Sequence, residues 1–143
     1  MAKKPRNYKE ETPSLRESAY LCDKVLRKLM NEKVFPKRSR WLISGKIADL
    51  TNEYMAAVIE ANDPKVQTTE LRDRRYTLQQ IAIGKLSALD VLLNQAKRSL
   101  GLPADELEDI AGQINNCRKL LSSWVASDLK RYGPPSGAVK YQG

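Results

Sequence analysis

The feature that most constrains the fold is a stripe of apolar residues recurring every three or four positions: Leu78, Ala82, Leu86, Leu89, Leu93, Ala96 and Leu100. That spacing keeps one face of an α-helix apolar and is incompatible with the two-residue period of a strand. Three further segments repeat the pattern. Leu15, Ala19, Cys22, Leu26 and Leu29 line the first, and Ile43, Ile47, Leu50, Tyr54, Val58 and Ala61 the second. The last carries Leu107, Ile110, Ile114, Cys117, Leu121 and Trp124.

Punctuation between the stripes sets the helix limits. Pro13 suits a first helical turn, and Ser14 with Glu17 forms a potential capping box. Phe35-Pro36 stops the first helix, because the residue before proline is pushed out of the α region. Asn62-Asp63-Pro64 ends the second, Gly101 closes the third in a left-handed cap, and Gly133-Pro134-Pro135 closes the fourth. Asp105, Glu106, Glu108 and Asp109 lie in the first turns of the fourth helix, where its dipole favours negative charge. The expected organisation is a basic tail over residues 1–13, helices over about 14–33, 38–62, 68–100 and 104–132, and a second tail over 134–143. Short connections make successive helices antiparallel, so the expected fold is all-α, an up-down-up-down four-helix bundle. Ile81, Ile83 and Leu92 widen the third apolar face, and Leu120, Val125 and Leu129 the fourth, beyond one stripe; such faces serve either a generous core or a partner surface, and self-association is the expected use.

The chemistry of catalysis is sparse. The sequence contains no histidine, which removes the commonest general base and the Glu-x-x-His motifs of di-iron bundles. It has neither a Gly-x-x-x-x-Gly-Lys loop nor a Gly-x-Gly-x-x-Gly turn to cradle phosphates. No enzyme activity, cofactor or metal is therefore expected. Cys22 and Cys117 sit on apolar stripes as small core residues, which fits a reducing compartment. With no run of about 18 apolar residues and no signal-peptide core, no membrane association is expected, and the chain is placed in the cytoplasm.

Charge remains. The 143-residue chain carries a formal net charge of +8, with +2 in residues 14–34, +1 in 35–62 and +3 in 63–100 against −1 in 101–133. Such an excess attracts polyanions over a Debye length of about 8 Å. Lys33, Lys37, Arg38 and Arg40 crowd the connection between the first two helices, and antiparallel order brings Lys97 and Arg98 to the same end. Arg72, Arg74, Arg75, Lys130 and Arg131 belong to the opposite half, and Lys3, Lys4, Arg6 and Lys9 to a tail that adapts to what it touches. These are the candidate nucleic-acid-binding residues, through arginine forks on phosphate oxygens. A structural use competes for some of them: Lys97 and Arg98 complement a helix carboxyl end, and Lys37 to Arg40 are within reach of pairing with the acidic start of the fourth helix. Trp124, on an apolar stripe, reads as core. Trp41 reads equally as a stacking platform for bases or as packing.

The stretch Phe35-Pro36-Lys37-Arg38-Ser39-Arg40-Trp41, followed by Ile47 and later by Leu120-Leu121-Ser122-Ser123-Trp124, resembles small four-helix proteins encoded in intervening sequences of 23S ribosomal RNA genes. It is equally similar to their relatives, the accessory variability determinant proteins of diversity-generating retroelements. The resemblance spans residues 15–131 and lies in order and spacing more than in one motif. It implies a homopentamer with a basic surface that binds RNA and DNA without marked sequence preference. For the retroelement branch it further implies association with the reverse transcriptase during mutagenic retrohoming, the error-prone cDNA synthesis primed on the element's RNA. Phe35, Pro36, Lys37, Arg40, Trp41 and Trp124 match the pattern. Arg38 and Arg40 make the segment more basic than the usual Lys-Ser-Glu-Arg form, and Ser123 stands where glycine is frequent. The expected role is thus a noncatalytic accessory of a retroelement reverse transcriptase. The alternative is a ribosomal-intervening-sequence protein, structural or RNA-associated, without that partner.

Overall fold

Thr12 starts the first helix. Its hydroxyl accepts a hydrogen bond from the Leu15 N–H at 3.1 Å while Pro13 occupies the first helical position, which satisfies one of the N–H groups that a helix start leaves unpaired. This replaces the capping box expected of Ser14: that serine is buried one position inside the helix, and Glu17 turns toward the last helix instead. The computed structural model describes residues 12–136; Lys3, Lys4, Arg6 and Lys9, and residues 137–143, lie outside them.

The described residues form four α-helices and no strand: α1 (Pro13–Met30), α2 (Gly45–Ala61), α3 (Thr69–Leu100) and α4 (Ala104–Tyr132). Each helix packs on its chain neighbours, and α1 also packs on α4, so the ring is closed. Leu21, Ile47, Leu86, Leu89, Ile110, Ile114 and Leu121 are fully or almost fully buried between them, each contributing about 1.5–3 kcal/mol by leaving water. Thr68 caps α3 through the Leu71 N–H, and Gly101 ends it at φ 65°, the left-handed conformation that glycine adopts without a Cβ penalty. Among the described residues, no helix is long and apolar enough to cross a membrane.

On α1 the buried face is Ser14, Ser18, Leu21, Cys22 and Val25, whereas Ala19 is exposed. The face is rotated from the apolar stripe because small polar residues make room for Tyr54 of α2. Its fully buried hydroxyl lies 2.5 Å from that of Ser18, so each satisfies the other in the core. Of the residues that widen α3, Ile83 and Leu92 pack against the core, while Ile81 is exposed; Leu129 on α4 is also exposed.

Both cysteines are free and buried. Burial, reinforced by Cys117 and Asp23, pushes the Cys22 thiol up from 9.0 to about 12, and burial also raises Tyr54 and Cys117. A folded-state pKa above the unfolded one means stability that is complete below the lower value and lost as pH rises through the higher. The thermal midpoint is expected to hold up to pH about 9 and to fall between about 9 and 12. Cys22→Ala should make the alkaline decline shallower in a calorimetric pH series, and an unaltered decline would refute this origin.

Candidate nucleic-acid interface

The connection from α1 to α2 is built around buried polar groups. After Met30 the chain turns on Asn31, whose carbonyl accepts from the Val34 and Phe35 N–H groups at 3.0 and 2.9 Å. Val34 and Phe35 are thereby driven into the core, four to five residues after the helix has already ended at Met30 rather than near residue 33. A 3₁₀ turn (Lys37–Ser39) and a wide π-type turn (Arg40–Ser44) follow, the latter closed by the Gly45 N–H on the Arg40 carbonyl. These turns occupy the start expected for the second helix. Ser39 and Ser44 point inward: their hydroxyls are 2.7 Å apart, and Ser39 Oγ donates to the Pro36 carbonyl at 2.8 Å.

Between these inward serines, Arg40, Trp41 and Leu42 face out while Ile43 packs against the core. Lys33, Lys37, Arg38, Arg40 and Trp41 are all exposed. Lys37 lies 3.8 Å from Glu32, an exposed pair worth about 0–1 kcal/mol. Among the described residues, neither Arg38 nor Arg40 has an ion-pair partner. Lys46, in the first turn of α2, is a further exposed cation that the sequence reading overlooks.

The acidic start of α4 does not neutralise this segment. Asp109 and Glu106 pair instead with Lys24 and Lys28 of α1, the second pair at 2.5 Å. Lysines four apart on one helix meet carboxylates three apart on the other because both spacings return to one helical face. Asp109, by hydrogen bonding, raises the Lys24 pKa. Lys97 and Arg98 stand in the last turn of α3, where cations complement the helix dipole; among the described residues neither forms an ion pair.

The second group is largely engaged in structure. Arg72 Nε donates to the Val66 carbonyl at 2.8 Å, and its guanidinium lies 4.7 Å from the Tyr132 ring centre. Arg74 reaches Glu60 at 3.3 Å. Arg75 is tied more firmly: its Nε lies 3.1 Å from Asp128 Oδ2, with side chains only 15% and 13% exposed. That approach is too oblique for a hydrogen bond, and the Arg75 guanidinium also covers the Trp124 ring at 5.0 Å. Arg75 is therefore a structural residue, because a phosphate could reach it only by displacing Asp128. Arg131 lies 5.8 Å from the Tyr132 ring, and Lys130 is exposed. Trp124 packs partly buried against the core.

Arg72, Arg75, Tyr76, Gln79, Asp128 and Tyr132 line a shallow cleft between α3 and α4. Gln79 is fully buried and donates to Asp128 at 3.1 Å; a polar residue on a core face leaves no signal in apolar periodicity. Among the described residues, no group of histidine, cysteine and carboxylate side chains is arranged to hold a metal ion. What the surface offers is a basic connection whose cations are mostly uncommitted. Comparison with family models, curated proteins and solved structures finds no match.

Proposed function

We propose that this chain is a noncatalytic accessory protein of a diversity-generating retroelement: it binds RNA and DNA phosphates through a basic surface and associates with the reverse transcriptase during mutagenic cDNA synthesis. The observation that carries the reading is the exposed connection in which Lys33, Arg38 and Arg40 lack ion-pair partners among the described residues. It coincides with the segment that resembles the accessory proteins. The reading takes the bundle as up-down-up-down. Opposed numbering of the cross-helix pairs supports that order, with Glu60–Arg74 followed by Glu53–Lys85, and Ser18–Tyr54 by Cys22–Thr51. Under it, Lys97 and Arg98 lie at the same end as the basic connection. The homopentamer and the cytoplasmic setting come from the resemblance and the cysteine chemistry, and exposed Ile59, Ile81 and Val91 supply apolar surface for self-association.

Phosphate binding has a salt signature. Each phosphate neutralised contributes about 0.7 to the slope of log affinity against log salt on a single strand and about 0.9 on duplex DNA. A footprint of three to five cations predicts a slope of roughly −2 to −4.5, measured by fluorescence anisotropy with labelled RNA and DNA. A flat slope, or no binding at low salt, would reject the nucleic-acid role. Co-purification of a reverse transcriptase with the tagged chain from its source cells supports the retroelement assignment; ribosomal RNA recovered without it favours the intervening-sequence alternative.

A further inference from the structure

Trp41 is 94% exposed and its neighbour Leu42 72%, although tryptophan is ordinarily among the more buried residues. The exposure is built in. Ser39 and Ser44 anchor the ends of the segment by their mutual hydrogen bond, and the Gly45 N–H closes the turn on Arg40, so the indole projects from a backbone fixed on both sides. Between Glu32 and Asp49 the sequence holds five cations, Lys33, Lys37, Arg38, Arg40 and Lys46, and no carboxylate.

We propose that Trp41 is a stacking platform for an unpaired base, so that the basic connection prefers single-stranded RNA or DNA over duplex. The inference deepens the nucleic-acid reading and rests on it. An indole among cations matches the two chemistries of a single strand, a polyanionic backbone and free base faces, whereas duplex bases already stack on one another. A two-fold contact with a second copy would set these five cations against five more, which like-charge repulsion opposes; a head-to-tail contact within a ring joins unlike faces and is distinguished by sedimentation size. A lipid surface would need a longer apolar face than one Trp-Leu pair supplies.

The test uses the full chain with Trp124→Phe, which leaves Trp41 as the sole tryptophan, and compares oligouridylate with a duplex of matching length. Single strand should quench Trp41 fluorescence. In the otherwise unaltered chain, Trp41→Ala should weaken single-strand binding by roughly 5- to 150-fold while changing duplex binding by less than about twofold. Trp41→Phe should retain most of the affinity. The salt slope should not move, because the indole bears no charge. If the unaltered chain binds and Trp41→Ala binds single strand equally well, the platform is refuted while the phosphate-binding reading survives. Failure of the unaltered chain to bind either nucleic acid removes both. A Trp41→Ala variant that changes only the sedimentation size, or only binding to anionic vesicles, assigns the indole to a self-contact or a lipid surface and overturns the proposal.

Discussion

Replacing Arg38 and Arg40 together by glutamate is expected to weaken RNA and DNA binding at least about 100-fold at moderate salt and to reduce the salt slope by about 2. Both guanidinium groups are exposed and without ion-pair partners among the described residues, so all of their charge is available to phosphate. Reversal removes two attractions and adds two repulsions in a segment otherwise free of carboxylates from Lys33 to Ala48. The fold should not notice: exposed substitutions away from caps and cores usually change stability by less than about 0.5 kcal/mol. The thermal midpoint therefore separates this result from unfolding. Arg74 would be a poorer probe, since reversal there sets glutamate against Glu60 and mixes stability with binding. Unchanged affinity in the folded double variant would remove the α1–α2 connection from the interface.

The helical architecture is legible because apolar spacing encodes it directly. For α2, Ile47, Leu50, Tyr54, Val58 and Ala61 are all buried, and for α3 so are Ala82, Leu86, Leu89, Leu93 and Ala96. On α1 the same rule misplaces the face by part of a turn, because Ser14 and Ser18 are buried and hydropathy assigns serine to the surface. What places Ser18 inside is a partner 36 residues away, the Tyr54 hydroxyl, and periodicity within one helix carries no information about it. Gln79 escapes notice for the same reason, its amide being satisfied in part by Asp128 of another helix.

Charge is legible as composition but not as pairing. The cluster Asp105, Glu106, Glu108 and Asp109 is visible at the start of α4, yet which cations answer it depends on how α1 and α4 align, and the structure selects Lys24 and Lys28. That choice leaves Arg38 and Arg40 uncommitted. The exposure of Trp41 follows from an irregular turn anchored by two serines, a local geometry for which helical periodicity has no term. A basic segment thus becomes a candidate interface only once the acids that could silence it are shown not to pair with it.

The opposite outcome is expected at Arg75, where the charge belongs to the fold. Arg75→Ala should cost about 3–5 kcal/mol, because it leaves the mostly buried carboxylate of Asp128 without its counter-charge. Both side chains are more than four-fifths buried, and the guanidinium also covers the Trp124 ring. For a domain of this size the loss corresponds to a thermal midpoint lower by roughly 10–20 °C. Pairing Arg75→Met with Asp128→Asn should recover more than half of that loss: the methionine keeps apolar contact with the indole, and the asparagine keeps an acceptor for the Gln79 amide, which now donates to Asp128 at 3.1 Å. Calorimetry on the single and double variants closes the cycle and isolates the coupling between the two charges. If Arg75→Ala costs less than about 1 kcal/mol, the ion pair is dispensable in the manner of an exposed one, and Arg75 returns to the set of cations open to phosphate. A large loss with recovery in the double variant instead divides the basic residues by purpose, with Arg75 holding α3 to α4 and Arg38 and Arg40 left to meet the nucleic acid.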